Sequence, residues 1–323
     1  MGLEIILHGV RGSLPTPVTP KFRKENLINV LTKFKKQIDT DKDLNPKDFV
    51  ESLPVYLSQG FGGNTSCVEV KSKSNHIIID AGTGIRHLIE PMMINQQASL
   101  GKAKIHIFMT HFHWDHIMGL PFFVPLYIPG NEINFYAVQV ELEDAIRSLF
   151  KRPFFPVPFE GLGAKINFHQ LQPRVSLSLS DMLITPYLLD HPDPCWGYRV
   201  ENEGRSYAHC VDTECLRVSA QDLGPDLPLY HKADLMLFDA QYSIQEAQEK
   251  KNWGHASATR GLELAYREKI KKVIFAHHDP MASDDKIAKI AINSNKVFAN
   301  AHKDLVNHSL EWSIGKEGDH FIL

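Results

Sequence analysis

The sequence predicts an α/β protein in which layers of β-sheet are covered by helices. Apolar runs bounded by turn residues dominate the first half of the chain, for example "LEIILHG", "CVEVKS" and "HIIIDAGTG". In the second half such runs alternate with helical patterns, as where "LMLFDAQ" precedes "SATRGLELAYREKI". This order favours sheets covered by helices over a helical bundle. The chain of 323 residues is long enough to bury a substantial core.

The individual elements follow one another with turn signals between them. The first strand, "LEIILHG", ends at the flexible "GVRGS" loop, and the next two strands are joined by the turn "SKSN". Further strands are predicted at "KIHIFMT", "INFYAV", "KINFHQL", "MLITPYLLD", "WGYRVEN", "SYAHCVD", "LMLFDAQ" and "KKVIFAH". Helices are predicted at "VELEDAIRSLF", "SATRGLELAYREKI" and "SDDKIAKIAINSNKVFANA".

A segment from about residue 18 to 59 predicts a helical insertion into this β-rich frame. Its first half carries lysines and four apolar residues at helical spacing, Leu27, Leu31, Phe34 and Ile38. Its second half predicts a short helix with Asn45 as N-cap, Pro46 at the first helical position and Pro54 at its end. The lysines favour a solvated helix face. A lid over a site and a dimer contact are the alternatives.

Composition and charge are those of an ordinary globular protein. The formal net charge of -3 argues against a general polyanion-binding surface. No run of about 18 apolar residues is present, so we expect no membrane span, and the N-terminus lacks the pattern of a signal peptide. Four cysteines in a chain of this length do not make a disulfide framework. We therefore expect reduced thiols in a cytoplasmic protein.

The stretch "MTHFHWDHIMGLPFF" places four candidate metal ligands where an apolar strand ends: His111, His113, Asp115 and His116. In extended backbone His111 and His113 point to the same side, about 6–7 Å apart along the strand. Two such imidazoles can converge on one ion, and the two residues beyond the turn can reach a second ion. A loop that happens to be rich in histidine is the alternative interpretation. Nitrogen donors with carboxylates suit zinc, and iron or manganese fit the same donors.

Further candidate ligands follow other predicted strands. Asp80 ends "HIIID", His191 ends "LLDH", Asp212 ends "YAHCVD" and His277 ends "KKVIFAH". A single aspartate or histidine at such a position is more often a turn former or a surface group. Four of them in a chain that already carries the histidine cluster favour metal binding, because a site for two ions needs more ligands than the cluster supplies.

The order of these residues resembles the metallo-β-lactamase superfamily. "DAGTG" is followed by H-x-H-x-D-H, a single later His, a later Asp and a final His after a strand. The segments "HGVRGSLPTP", "GGNTSCVEV", "WGHAS" and "FAHHDP" are similar to a bacterial branch close to the ribonuclease Z-like phosphodiesterases. The resemblance implies a four-layer αββα sandwich. It also implies a single metallo-hydrolase domain over residues 1–323, with the helical insertion at about 18–59.

The resemblance further implies two divalent metal ions that share Asp212 as a bridging ligand. Zinc is the first choice, with manganese or iron as alternatives. The other ligands of the first ion would be His111, His113 and His191. The other ligands of the second ion would be Asp115, His116 and His277.

The resemblance implies that two neighbours of these ligands, Asp80 and His278, support the metal site. Asp80 would orient the histidine cluster, as carboxylates around metal-bound imidazoles do. His277 is preferred as the ligand because it follows its strand directly. His278 is the alternative ligand or, failing that, a supporting or substrate-facing neighbour.

Such a site can hydrolyse a phosphodiester. A pair of metal ions lowers the pKa of bound water to near 7, which supplies a metal-bound hydroxide, and Asp115 can orient it. His255 in "WGHAS" is the candidate proton donor for the leaving group. It resembles the "H-S-T" histidine of the ribonuclease Z group, with Ala256 in place of the serine. The alternative is that His255 is an exposed residue at the start of a helix.

Several functions compete for this site. We expect a phosphodiesterase for a small diester, with cyclic nucleotides as one option. An RNA-processing nuclease of the ribonuclease Z type is less favoured, because residues 131–180 contain as many acidic as basic residues and a polyanion grip needs net positive charge. Asp212 stands where many zinc β-lactamases have cysteine, which argues against β-lactam hydrolysis. Hydrolysis of a non-phosphate ester, including a thioester, remains an alternative.

Two functions without hydrolysis compete with these. Diiron redox relatives place a glutamate where this chain has His113, which argues against that class. A ligand-binding or structural role remains a minor alternative, because every expected metal ligand is present.

The expected partner is a small-molecule phosphodiester, with nucleic acid less favoured and no membrane. The aromatic stretch "FKRPFFPVPF" could form a wall for a flat substrate or a packed edge of the sandwich. The sequence leaves two questions open: whether the protein forms a homodimer, and what the insertion does.

Overall fold

The chain forms two β-sheets that face one another. The computed structural model describes residues 2–95, 97–302 and 310–323. Within these residues the strands are β1 (Glu4–Gly9), β2 (Cys67–Lys71), β3 (His76–Ile79), β4 (Lys104–Phe108), β5 (Glu132–Ala137), β6 (Lys165–Gln170), β7 (Leu177–Leu179), β8 (Met182–Leu188), β9 (Trp196–Asn202), β10 (Arg205–Cys210), β11 (Leu235–Asp239), β12 (Lys272–Ala276), β13 (Glu311–Ile314) and β14 (His320–Ile322).

Each sheet combines an antiparallel half with a parallel half. The strand order is β14-β1-β2-β3-β4-β5-β6 in the first sheet and β13-β12-β11-β10-β9-β8-β7 in the second. Strands β3 to β6 run parallel in the first sheet, and β10 to β13 run parallel in the second. Parallel neighbours present their carboxyl ends at the same edge, so the residues after β3 and β4 leave one edge together. The residues after β10, β11 and β12 do the same in the second sheet.

Helices cover the outer faces of both sheets. The helices of the described residues are α1 (Pro20–Ile38), α2 (Pro46–Ser52), α3 (Val55–Ser58), α4 (Arg86–Asn95), α5 (Trp114–Ile117), α6 (Leu142–Leu149), α7 (Ala220–Leu223), α8 (Ile244–Glu249), α9 (Ala258–Glu268) and α10 (Asp284–Ala301). Helices α4 and α6 pack on the first sheet in one apolar cluster, and α9 packs on the second sheet in another.

A third apolar cluster lies between the sheets. It joins Ile5 and Ile79 of the first sheet to Tyr198 and Leu237 of the second, all of them buried. Together the three clusters give the layer order helix, sheet, sheet, helix. The predicted four-layer αββα sandwich is therefore confirmed.

The insertion between β1 and β2 consists of α1, α2 and α3. Asn45 caps α2 as predicted, because its side chain accepts a hydrogen bond from the Asp48 backbone N–H at 2.9 Å. Pro54 ends that segment, but it also precedes α3, which the sequence did not predict. The apolar stripe of α1 is not a buried face: Leu27 and Leu31 are 57% and 55% exposed.

The sequence missed the shortest elements. Strands β7 and β14 have three residues each, which is too few for an alternating pattern. The longer helix α4 was not predicted either, and it carries Pro91 in its interior. The four cysteines are all free and buried, as expected. Among the described residues, no helix is both long enough and apolar enough to cross a membrane.

Candidate metal centre

Three of the predicted ligands and supporting residues sit on sharp turns at the strand ends. Asp80, Asp212 and His277 follow β3, β10 and β12, and their φ angles are +61°, +58° and +60°. Non-glycine residues rarely adopt this left-handed conformation, and those that do cluster at functional sites. The strain lets the chain turn at the sheet edge while these side chains, all at most 2% exposed, remain inside the fold.

The structure brings all seven predicted ligands into contiguous groups. In each group one ligand atom per residue lies within 4.8 Å of the others. The groups are His111, His113 and His191; His111, His116 and Asp212; Asp115, His116 and His277; and Asp212, Asp239, His255 and His277. Because the groups share members, they form one continuous cluster. A further residue, Asp193, touches its rim: its carboxylate accepts a hydrogen bond from His113 Nε2 at 2.9 Å.

Asp80 fixes the orientation of His116. Its carboxylate accepts hydrogen bonds from the Thr110 backbone N–H at 2.9 Å and from His116 Nδ1 at 2.7 Å. His116 and Asp80 are fully buried, so neither bond competes with water. With Nδ1 engaged, Nε2 of His116 is the atom that faces the cluster. This geometry matches the orienting role that the resemblance implies for Asp80.

Three buried polar atoms of the cluster lack a hydrogen-bond partner: His111 Nε2, His116 Nε2 and Asp212 Oδ2. His116 Nε2 lies 2.8 Å from Asp212 Oδ2, but the pair lacks the alignment of a hydrogen bond. Buried polar atoms are normally satisfied, since an orphaned one is costly. Imidazole nitrogen and carboxylate oxygen are donors for zinc and related cations, so the residues fit a bound metal.

Electrostatics favour a cation in this cluster. Burial alone would raise the pKa of Asp212, but His277 and His116 hold it well below its usual value. Burial would lower the pKa of His277, yet Asp212, Asp115 and Asp239 raise it to about 9. Burial lowers the pKa of His111 well below its usual value, and His116 lowers it further. Ionised carboxylates beside a neutral His111 attract positive charge, as a divalent cation would supply.

Asp115 is held from a loop that the sequence did not connect to the site. The Ser13 backbone N–H donates to Asp115 Oδ2 at 2.7 Å, and His277 Nε2 lies 3.1 Å from the same oxygen. Gly12 allows this loop to approach, because a Cβ there would lie 2.4 Å from His277 Nδ1 and 2.5 Å from the Gln241 side chain. The "GVRGS" loop thus orients Asp115 through backbone rather than side chain.

Asp239 is a central carboxylate that the sequence analysis missed. Fully buried at the end of β11, it accepts hydrogen bonds from His255 Nδ1 at 2.9 Å and from the Asp212 backbone N–H at 3.2 Å. It also accepts one from the Gln241 backbone N–H at 3.1 Å. The signal was available, because Asp239 ends the apolar run "LMLFD" as Asp80 ends "HIIID".

His255 lies at the cluster, and His278 does not. Nδ1 of His255 is 3.6 Å from Asp212 Oδ1 in addition to its bond with Asp239, and the residue lines the cleft above the cluster. His278 is buried elsewhere: its Nε2 donates to the Gly315 carbonyl at 2.9 Å, and burial lowers its pKa to about 3. The His278 side chain thus contacts the Gly315 carbonyl and not a predicted ligand, and its supporting or substrate-facing role stays a prediction.

The cleft above the cluster has a volume of about 520 Å³. Asp115, Asp212 and His255 lie at its floor or wall, and Trp114 and Trp253 also line it. Residues of "FKRPFFPVPF" do not occur among the described residues that line it. Phe155 instead packs against the core of the first sheet. The packed-edge interpretation of that stretch is therefore the one that the structure favours.

The fold and the cluster together define the class of protein. The family model described as the Beta-lactamase superfamily domain matches residues 75–278, which is more than half of the chain. The chain belongs to this superfamily. With its His and Asp groups at the strand ends, it is a metal-binding hydrolase of the metallo-β-lactamase fold.

Particular relatives narrow the class. A ribonuclease Z from Staphylococcus carnosus is 26% identical over 211 residues, which are 61% of this chain and 62% of that protein. The metallo-β-lactamase fold protein YhfI from Bacillus subtilis has a TM-score of 0.63 at 14% identity, with 99% of this chain and 98% of YhfI covered. A diphosphatase from the PhnP family has a TM-score of 0.59 at 16% identity, with the same coverage. The two structural likenesses show the shared fold. Within the superfamily, this chain is similar in sequence to a ribonuclease Z.

Proposed function

We propose that this protein is a phosphodiesterase with a dinuclear metal site that acts on a small phosphodiester. The observation that carries the proposal is a cluster with three buried ligand atoms that lack a hydrogen-bond partner, below a cleft lined by a histidine that contacts a buried carboxylate. The similarity to a ribonuclease Z and the shared fold with a diphosphatase support phosphate chemistry.

Two ligand sets that share Asp212 would hold the two ions. His111, His113 and His191, which form one of the groups, would make the first set, and Asp115, His116 and His277, which form another, would make the second. Each set offers three protein ligands in addition to the shared aspartate, with zinc as first choice and manganese or iron as alternatives. When bound, such a pair supplies a nucleophile at neutral pH and neutralises charge on the phosphoryl oxygens.

The protein residues then position the reactants and move one proton. Asp115, fixed by the Ser13 N–H, accepts hydrogen bonds in the cleft and orients the attacking group. His255 donates Nδ1–H to Asp239, which leaves Nε2 to carry the proton for the leaving oxygen. Asp239 would stabilise the protonated imidazole and hold its orientation. General acid catalysis of this kind contributes typically about 10²–10⁴-fold.

A nuclease of the ribonuclease Z type is the second candidate, favoured by the similarity to the Staphylococcus carnosus protein. Local charge supports the small substrate instead. Arg147 is paired with Glu143 at 2.8 Å and with Glu160 at 3.2 Å, and Arg174 is paired with Asp226 at 2.8 Å. Basic residues that are already paired with carboxylates contribute little to the binding of a polyanion.

Hydrolysis of bis-p-nitrophenyl phosphate tests the proposal. We expect turnover by the metal-loaded protein, loss with a chelator, return with added metal, and little activity on β-lactams. A matched assay with a tRNA precursor that carries a 3′ extension distinguishes the nuclease. Lactam or carboxyl-ester turnover without diesterase activity at any metal loading would contradict the proposal.

A further inference from the structure

We propose that the cleft contains a nucleobase-binding subsite formed by Trp253 and Trp114, with Lys250 beside it. The substrate would then be a phosphodiester that carries a purine or pyrimidine base, not a simple alkyl or aryl diester. This inference deepens the proposed phosphodiesterase function and rests on it for the identity of the scissile group.

The first argument is the exposure of two tryptophans in the candidate active-site cleft. Trp114 and Trp253 line the same cleft as Asp115 and His255, and they are 67% and 63% exposed. By contrast, Trp196 is 8% exposed and packs in the core between the sheets. Exposed large apolar surface marks interaction sites, and flat aromatic rings stack on bases of any identity. Their position beside the metal ligands makes a substrate group the natural occupant.

The second argument is that Trp253 is firmly positioned relative to the cluster. Its neighbour Gly254 has a φ of +88°, and a Cβ there would lie 2.3 Å from the His191 ring. The Gly254 N–H donates to Glu214 Oε1 at 3.0 Å, and the Trp253 N–H donates to the Lys250 carbonyl at 3.2 Å. Trp253 therefore directly precedes Gly254, whose backbone packs closely against the ring of His191, a predicted metal ligand.

The third argument is a cation on the same wall. The Lys250 ammonium lies 4.2 Å above the Tyr242 ring and 5.7 Å from the Trp253 ring centre. It is 4.0 Å from Asp279 Oδ2, too long for a hydrogen bond, so it keeps most of its capacity to donate. A cation beside Trp253, in the cleft that Asp115 and Asp212 also line, suits a ligand with a base at one end and a phosphate at the other. An apolar ester would gain nothing from this lysine.

Two p-nitrophenyl esters test the inference. Thymidine 5′-(p-nitrophenyl phosphate) and methyl p-nitrophenyl phosphate share a leaving group and differ in the base. We expect the wild-type protein to have the higher kcat/KM on the thymidine ester. Trp253→Ala should lower the ratio of the two kcat/KM values by roughly 5- to 140-fold, the range for losing one base stack. Trp253→Phe should restore most of the ratio.

Phe154→Ala is the matched control, since Phe154 is 82% exposed and lies outside the cleft lining. It should leave the ratio as in the wild type. An unchanged ratio in Trp253→Ala would overturn the subsite. So would a wild-type ratio near one.

A binding measurement separates this inference from the proposed function. Calorimetric titration with AMP should show binding to the metal-loaded wild-type protein and a roughly 5- to 140-fold weaker affinity for Trp253→Ala. If neither ester is hydrolysed but this difference is found, the subsite stands and the phosphodiesterase assignment fails. Equal AMP affinity in both proteins, or no AMP binding, would overturn the subsite whether or not the methyl ester is hydrolysed.

Discussion

The strand-end cluster and the helical insertion depart in opposite ways from the usual placement of polar and apolar residues. In the cluster, Asp80, His116 and Asp212 are at most 2% exposed, and the hydrogen bond from His116 Nδ1 to Asp80 fixes the direction of the His116 ring. In the insertion, α1 has no buried residue, and Leu27 and Leu31 are more than half exposed. Polar groups are thus enclosed at one place while apolar groups face solvent at the other.

The difference shows where the fold has been shaped for a ligand. Burying polar groups costs free energy unless they find partners, and the cluster leaves three such atoms without one. The insertion bears no comparable cost and contributes none of the predicted ligands. Substitutions in the cluster should therefore change metal binding strongly, and removal of the exposed helices should change it little.

The largest effect is expected from His111→Ala. His111 Nε2 is a partnerless buried nitrogen shared by two of the ligand groups. Since loss of a mere supporting partner of a ligand costs about 10–100-fold in metal affinity or activity, loss of the ligand should cost at least that much. Metal analysis and diesterase rates should fall together. His320→Ala, on the exposed edge strand β14, is the control, and full metal loading in His111→Ala would remove His111 from the ligand set.

The next effect is expected from His255→Ala. If His255 supplies a proton, kcat on an alkyl diester should fall by about 10²–10⁴-fold while the metal content stays unchanged. A p-nitrophenyl ester should lose less, because its leaving group hardly needs protonation. Equal losses of kcat on both esters would show that His255 binds phosphate but does not donate the proton. Loss of metal would show that His255 is a metal ligand.

Asp80→Asn should have an intermediate effect. The amide can keep the shape of the side chain but carries no charge to hold the His116 Nδ1–H. Metal affinity should fall by about 10–100-fold, as for other supporting partners of metal-bound histidine. Competition with a chelator measures this, and Asp193→Asn at the exposed rim serves as the comparison. An unchanged affinity in Asp80→Asn would mean that burial alone orients His116.

The sequence could single out most of the candidate metal ligands because they lie at or near the end of an apolar run that is easy to recognise. The same rule applied to "LMLFD" would have found Asp239, so this omission was avoidable. The support of Asp115 by the Ser13 N–H was not predictable, because any residue can supply a backbone donor. The preference for His277 over His278 as the ligand could not be checked from residue types, because they do not specify the left-handed turn at His277.

The limits on fold prediction have a similar origin. Apolar runs such as those of β4 and β11 can be recognised as strands from the sequence alone. Strands β7 and β14 are too short for that and are strands because they pair with β8 and β1. The spacing in α1 correctly indicated a helix, and its lysines favoured a solvated face, in line with the absence of buried residues from α1. Helical periodicity reports what a helix could bury, and tertiary contacts decide what it does bury.

The smallest effect is expected from shortening the insertion. The structure refines where to cut, because Val55 and Tyr56 of α3 pack against the apolar cluster around Phe61. Replacing residues 20–52 with a Gly/Ser linker keeps that contact and should leave metal content unchanged. Substrate preference could change if α1 closes over the cleft, as inserted lids do. Loss of metal from the folded variant would show that a ligand lies in the insertion.

Metal stoichiometry tests the central claim most directly. The purified protein is stripped with a chelator, reconstituted with zinc or manganese, freed of excess ion and analysed by plasma mass spectrometry against protein concentration. The two ligand sets around Asp212 predict about two ions per chain, by the count of protein ligands that each ion needs. A value of one would contradict the dinuclear site, and a value near zero under all loading conditions would contradict the metal centre itself.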